Sequence, residues 1–234
     1  MREVLLRVSQ LACDLPAIAE LDINPLLVDE HGALAVDGRI RLHAPGEAAA
    51  PLAIVPYPQQ LEETLVVDGQ ALRVRPIQPE DGERLREFYA QASPEDMRLR
   101  FFMSRREVPR SELARFSQID YDREMAFIAV APAEPGAPPS AARMAGEVRG
   151  LCDPDNLQAE FAIQVAAPWQ GKGLGRQLLD KLVRYLHARG TARLVGQCRS
   201  ENTGMAALAR SAGLTVRPGE AGDHVLEFSL ELQR

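Results

Sequence analysis

Between residues 157 and 190 the chain changes its hydrophobic period, and that change restricts the folds open to it. In LQAEFAIQVAA, Leu157, Ala159, Phe161, Ile163 and Val165 alternate with Gln158, Glu160, Ala162 and Gln164, the period of a strand with one apolar face. After PWQGKGLGR, Leu174, Leu178, Leu179, Leu182, Val183 and Leu186 recur at the spacing of an amphipathic helix. Gly190 is placed to end that helix. A strand, a glycine-dense turn and a helix in this order make an α/β unit, in which the apolar stripe of the helix must cover a sheet.

The flanking sequence extends the unit in both directions. TLVVDGQALRVRP is apolar on both sides of Asp68-Gly69, a pair suited to a tight hairpin turn. QPEDGERLREFYAQAS predicts a helix with Leu85, Phe88 and Tyr89 on one face. SPEDMRLRFF predicts another, capped by Ser93 with Pro94 at its first position. RSELARFSQI predicts a third helix, MAFIAVAP and RMAGEVRGLCD predict strands, and AEPGAPPSAA (133–142) between those strands predicts a flexible loop. ARLVGQCRS, NTGMAALARSAG and HVLEFSLEL follow as strand, helix and strand. The expected class is α/β (α+β), a mixed central β-sheet flanked by helices. Residues 17–42 alternate short apolar runs with turn residues and predict a small β-hairpin as an N-terminal appendage. Residues 43–60, rich in Ala and Pro, have the composition of a linker.

Composition narrows the function. The formal charge of −6 argues against a general nucleic-acid binder. Cys13, Cys152 and Cys198 are far apart with no CxxC pair, which argues against a disulfide framework or a zinc site. MREVLLRVSQLACDLP has charges breaking its apolar run, and no stretch reaches the length of a membrane span, so the expected location is the cytoplasm.

A helix N-terminus carries N–H groups without intrahelical partners and the positive end of the helix dipole, so it welcomes an anion. Glycines let several amides converge there, and Lys172 and Arg176 add charge around the same turn. A Walker loop needs Ser or Thr after its Gly-Lys, whereas Gly173 follows Lys172. A dinucleotide fingerprint needs G-x-G-x-x-G, whereas Gly171, Gly173 and Gly175 make G-x-G-x-G. The residues alone leave two readings, a phosphate or pyrophosphate cradle and a loop whose glycines only turn the chain.

Gln170-Gly171-Lys172-Gly173-Leu174-Gly175 resembles the Q/R-x-x-G-x-G/A signature of the GCN5-related N-acetyltransferase (GNAT) family, and the likeness in element order runs from about Leu61 to Arg234. The resemblance implies the GNAT fold and acetyl-CoA as cosubstrate. It implies that the backbone of the loop, Gln170 to Arg176, holds the pyrophosphate. It also implies that the exposed backbone of Ile163, Gln164 and Val165 holds the pantetheine arm. Asn202 matches the family's asparagine on the far side of the cosubstrate; on residue type alone it fits a helix N-cap equally well.

Acetyl transfer to an amine needs a proton acceptor, and Glu160 is the candidate base. It lies ten residues before Gln170 on the face opposite the large apolar residues. AEFAI also resembles the segment that carries the general-base glutamate in protein-acetylating GNAT enzymes. Glu147, in AGEVRG, is the reserve; an edge or surface glutamate is the plainer alternative for Glu160. Many family members have a tyrosine in the helix after the fifth strand to protonate the departing thiolate. Ala209 stands at that position here, which leaves Ser211, water or no dedicated acid.

AELDINPLLVDEHGALAVDGRIRL resembles the end of the ATP-grasp domain of an NDP-forming acyl-CoA synthetase, with Glu20 and Asn24 in its E-x-x-x-N pattern. The expected division is therefore a synthetase-like remnant over 1–42, a linker over 43–60 and a GNAT domain over 61–234. Without the rest of a synthetase, Glu20 and Asn24 are expected to be turn and surface residues. This pairing resembles bacterial protein lysine acetyltransferases that act on acyl-CoA synthetases, and it implies such a synthetase as the protein partner, with neither nucleic acid nor membrane. A GNAT enzyme for a small amine and a non-catalytic acyl-CoA-sensing module are the alternatives. Arg98, Arg100, Arg105 and Arg106 form a basic run, read from composition as a solvated face and proposed as a docking surface for the partner.

Overall fold

A computed structural model of the protein describes residues 1–30, 32–46, 55–105, 107–133, 136, 138, 141–220 and 224–232. Residues 134, 135, 137, 139 and 140 of the loop expected over 133–142 lie outside the described residues, as does Arg106. The chain divides into two compact units, Met1–Pro56 and Tyr57–Arg234.

The first unit opens with α1 (Arg2–Asp14), followed by β1 (Ile18–Ile23), β2 (Leu26–Val28), β3 (Ala33–Ala35) and β4 (Gly38–Leu42). β1 pairs with β4 and β2 with β3, both antiparallel, so the expected hairpin is in fact two strand pairs, one nested in the other. Helix α1 is not among the elements expected above, although Val4, Val8 and Leu11 are half-buried at helical spacing. Glu20 pairs with Arg41 at 2.8 Å across the outer strand pair. The backbone N–H of Asn24 donates to the Asp37 carbonyl at 3.2 Å. No group of metal-binding side chains occurs among the described residues.

The second unit begins earlier than expected, because Tyr57 donates to Glu62 at 2.6 Å and packs edge-on against Tyr121. Its elements are β5 (Glu63–Val67), β6 (Gln70–Pro76), α2 (Gly82–Ala90), α3 (Pro94–Phe101), α4 (Arg110–Ser117), β7 (Glu124–Val130), β8 (Met144–Cys152), β9 (Gln158–Val165), α5 (Leu174–Ala188), β10 (Arg193–Arg199), α6 (Thr203–Ser211), β11 (Thr215–Pro218) and β12 (Val225–Glu231). Eight strands form one sheet in the order β11-β12-β10-β9-β8-β7-β6-β5. Every neighbour pair is antiparallel except β9 with β10. Asp68 and Gly69 both have positive φ in the β5–β6 turn, as their residue types dictate. The sequence reading had no β11; it is a short strand with no fully buried residue.

Alternate residues of β7 separate two cores. Met125, Phe127 and Ala129 join the cluster built on α5, whereas Ala126, Ile128 and Val130 join the one built on α2, α3 and α4. Leu174, Leu178, Leu179, Leu182 and Leu186 of α5 are fully enclosed, each contributing about 1.5–3 kcal/mol relative to exposure. The helix stops at Gly190, which has φ 76°. The Gly190 amide donates to His187 and the Thr191 amide to Leu186, a Schellman closure.

Sheet register creates the feature that positions the site. β8 pairs with β9 from Cys152–Ala159 to Gly146–Val165. β10 pairs with β9 only over Arg193–Gln158, Leu194–Ala159 and Val195–Glu160. Beyond Glu160 the two parallel strands part, and the backbone of Phe161 to Val165 is left with an unpaired edge.

Candidate active site

The loop between β9 and α5 places its amides at the wide end of that gap. Gly171 and Gly173 have φ of 72° and 87°, a region that costs a residue with a Cβ about 1–2 kcal/mol. Gly173 is the N-cap of α5. None of the amides from Gly171 to Arg176 has a backbone acceptor among the described residues; the first to find one is Gln177, which donates to Gly173. Converging free N–H groups at the positive end of a fifteen-residue helix make an anion cradle. The side-chain charges add less than the sequence suggested. Lys172 is held by Asp68 at 2.8 Å and Arg176 by Asp180 at 2.8 Å. Leu174 is fully enclosed in the core, so only its amide faces the cradle side. Gln170 braces the corner, its Nε2 donating to the Val165 carbonyl at 3.0 Å.

A cleft of about 1070 Å³ runs from this cradle along the parted strands. Glu160, Ile163, Gln164, Val165, Gln170, Gly171, Gly173, Gly175, Arg176 and Asn202 line it; Lys172 and Leu174 do not. Asn202 caps α6, its Oδ1 accepting from the Met205 amide at 2.9 Å, and it faces the cleft as well. Helix α3 contacts both β9 and β10 and so spans the gap. It is tied down on both sides of the gap, with Gln170 Nε2 donating to Asp96 at 3.4 Å and Arg98 pairing with Glu201 at 2.7 Å. The cradle therefore leads into a channel walled by an unpaired strand edge and covered by a helix.

The two candidate glutamates have opposite surroundings. Glu160 is exposed at the last rung before the strands part, beside Leu151 of β8. It makes no hydrogen bond or ion pair among the described residues. The other carboxylates lining the cleft are engaged: Asp96 by Ser93 and Gln170, Glu112 by Arg105, and Glu124 by Arg149. Glu147 is completely enclosed and does not line the cleft. It accepts from the Tyr89 hydroxyl and lies 3.6 Å from both Arg100 and Arg149. Burial, then the charge of Glu147, holds the Tyr89 hydroxyl well above its ordinary pKa. Glu147 is thus a buried counter-ion for two arginines, which removes the reserve base. On the other wall Ala209 is fully enclosed, and the Ser211 hydroxyl is exposed and donates to the Leu208 carbonyl at 2.8 Å. Neither residue lines the cleft.

Arg98 and Arg100 on α3 and Arg105 beyond it, the described residues of the basic run, do not form a solvated face. Arg98 is clamped between Glu95 and Glu201, and Arg105 pairs with Glu112 at 2.5 Å while lying over the Phe101 ring. Arg100 turns inward, its side chain 13% exposed. Sequence reasoning missed this inward turn. The available signal was Glu147 and Arg149 inside an otherwise apolar strand, a pair that requires buried partners.

Residues 71–215 match the acetyltransferase (GNAT) domain family, and residues 1–42 match the ATP-grasp domain family. An acetyltransferase of Pseudomonas aeruginosa is 28% identical over 146 residues, 62% of this chain and 76% of that protein. The GNAT domain of S. lividans PAT superposes with a TM-score of 0.67 at 26% identity, over 75% of this chain and 99% of that one. Spermidine N-acetyltransferase from Vibrio cholerae, solved with CoA and spermine, superposes with a TM-score of 0.54 at 17% identity, over 69% and 95% of the two chains.

Proposed function

The chain belongs to the GNAT acetyltransferase family, and from that premise we propose that it transfers the acetyl group of acetyl-CoA to a lysine of a protein, an AMP-forming acyl-CoA synthetase. The observation that carries the catalytic part is Glu160. It is the cleft carboxylate without a partner among the described residues, and it stands where β9 and β10 part. A carboxylate clamped by an arginine is a poor proton acceptor; an unclamped one beside the reaction centre is a serviceable base.

The residues divide the work along the cleft. The amides of Gly171 to Arg176 take the pyrophosphate, as the cradle geometry suits an anion of that shape. The free edge of β9 from Phe161 to Val165 takes the pantetheine arm, which brings the thioester toward Glu160. A lysine with pKa ~10.4 is neutral about once in 2,500 molecules at pH 7, a handicap of roughly 4.6 kcal/mol. Glu160 accepts the ammonium proton, directly or through a water, and the freed amine attacks the thioester carbonyl. No hydroxyl occupies the position of the family's tyrosine, so the thiolate leaves without a dedicated side-chain acid. A thiol of pKa ~8.5 is a tolerable leaving group.

Two observations support a protein acceptor. A polyamine carries several cations, yet beyond Glu160 the carboxylates of the cleft are already paired. The match of residues 1–42 to the ATP-grasp family, next to likeness to the S. lividans PAT domain, favours an acyl-CoA synthetase as partner. Incubation with acetyl-CoA and either a purified AMP-forming acyl-CoA synthetase or spermidine separates the readings. Acetyl-lysine on the synthetase is expected; transfer to spermidine alone would establish the small-amine reading instead.

A further inference from the structure

Arg100 and Gln164 line the cleft and carry enclosed polar atoms without a hydrogen-bond partner; Glu147 and Arg149 carry such atoms too. The Arg100 guanidinium makes no hydrogen bond among the described residues. Its nearest acid is Glu147 at 3.6 Å, the guanidinium lies over the Phe101 ring at 5.1 Å, and its Nε is enclosed without a hydrogen-bond partner. Gln164 is 8% exposed, and its Oε1 is likewise enclosed without a partner. Both residues line the cleft, one from the covering helix α3 and one from β9. Each is related to Glu147: Arg100 lies 3.6 Å from its carboxylate, and Gln164 is its register partner across the β8–β9 pair. Leaving such groups unpaired costs free energy, so a ligand or an ordered water must answer them.

The two groups together have the chemistry of a secondary amide's complement. A guanidinium offers donors to a carbonyl oxygen, and a glutamine offers an acceptor to an N–H. The pair lies between the cradle and Glu160: Gln164 is four residues along β9 from Glu160, roughly 13 Å. An arm held at the cradle and reacting beside Glu160 must pass it, and a pantetheine arm carries two secondary amides. We propose that Arg100 and Gln164 are positioning residues that grip an amide of the pantetheine arm with their side chains, in addition to whatever the strand backbone supplies. This inference rests on the course of acetyl-CoA along β9 given above.

The consequence is a specific division of affinity. Gln164→Leu and Arg100→Met should each weaken binding of CoA, by about three- to tenfold for one neutral hydrogen bond and by tenfold or more for a charge-assisted one. Binding of 3′-phospho-ADP, which has the cradle-bound portion and no pantetheine, should be unchanged in both. Calorimetric titration of the purified full chain with the two ligands tests this. Gln164→Leu is the safer variant for the fold, because it removes an unpaired polar group from an enclosed site; circular dichroism checks that each variant folds. CoA affinity unchanged in Gln164→Leu would overturn the proposal, because a water would then be the partner. Equal loss for CoA and 3′-phospho-ADP would also overturn it, by locating the effect at the cradle. A wild-type chain that binds neither ligand would instead sink the acetyltransferase reading itself.

Discussion

The two glutamates of the central strands should respond to the same substitution in opposite ways. In Glu147→Gln the buried carboxylate charge disappears while an oxygen remains to accept from Tyr89. Arg149 keeps Glu124 and the Phe116 carbonyl, but Arg100 has no other acid within ion-pair distance among the described residues. Breaking a buried pair by removing one partner costs about 3–5 kcal/mol, and the partners left to Arg149 favour the lower end. For a unit of this size, 3 kcal/mol lowers Tm by about 6–12 °C. Glu160→Gln changes an exposed, unpaired residue and should move Tm by less than about 2 °C. Turnover measured well below the lower Tm should show the reverse order. Loss of the base at Glu160 costs about 10²- to 10⁴-fold, whereas Glu147→Gln should stay within about tenfold. A Glu147→Gln variant with unchanged Tm and crippled turnover would refute the assignment of both residues.

Further expectations follow from loop geometry, packing and charge. Gly173→Ala places a Cβ at φ 87° and should destabilise the loop by about 1–2 kcal/mol, weakening CoA binding in calorimetry. Gly175→Ala should leave the fold intact, since its Cβ would meet Leu208 and Val165 at 3.4 and 3.5 Å, ordinary contact distances. Gly196→Ala would set a Cβ 2.5 Å from the Phe161 ring and should cost about 1–3 kcal/mol in a denaturant titration. Asp81 is enclosed between Arg75 and Arg84. Burial pushes its carboxyl up, but the hydrogen bonds from Arg75 and the Gln78 amide and the arginine charges outweigh this and hold it below its ordinary value. Its stabilisation is therefore complete above about pH 4, the ordinary range for Asp, and is lost as pH falls through the depressed folded value. The Tm of Asp81→Asn should be lower than wild type at neutral pH, and the gap should narrow in acid.

Local pattern made much of this structure legible. The period change at 157–190, the Asp68-Gly69 turn, the Ser93 cap and the stop at Gly190 each follow from one or two residue types and short-range geometry. The exposed position of Glu160 is legible because alternation places it on the face opposite Phe161. What escaped the sequence depended on long-range register. Nothing in RLRFF says that Arg100 turns inward while Arg98 reaches Glu201, because both choices depend on where β8 and β10 lie. The early parting of β9 from β10 was available only through family likeness, since a strand that pairs on one edge reads like a strand that pairs on both. Val4, Val8 and Leu11 carry a helical period, with Glu3 and Arg7 on the exposed face, so α1 too is legible in the residues themselves.

Whether Glu160 drives acetyl transfer from acetyl-CoA to a protein lysine is read out by mass spectrometry. A purified AMP-forming acyl-CoA synthetase is incubated with acetyl-CoA and either the wild-type chain or Glu160→Gln, and its lysines are mapped for acetylation over time. One or a few lysines should be acetylated by the wild-type chain, and the same lysines should be modified about 10²- to 10⁴-fold more slowly by Glu160→Gln, with CoA affinity retained. Equal rates from the two proteins would contradict the role of Glu160, and no enzyme-dependent acetyl-lysine would contradict the protein acceptor.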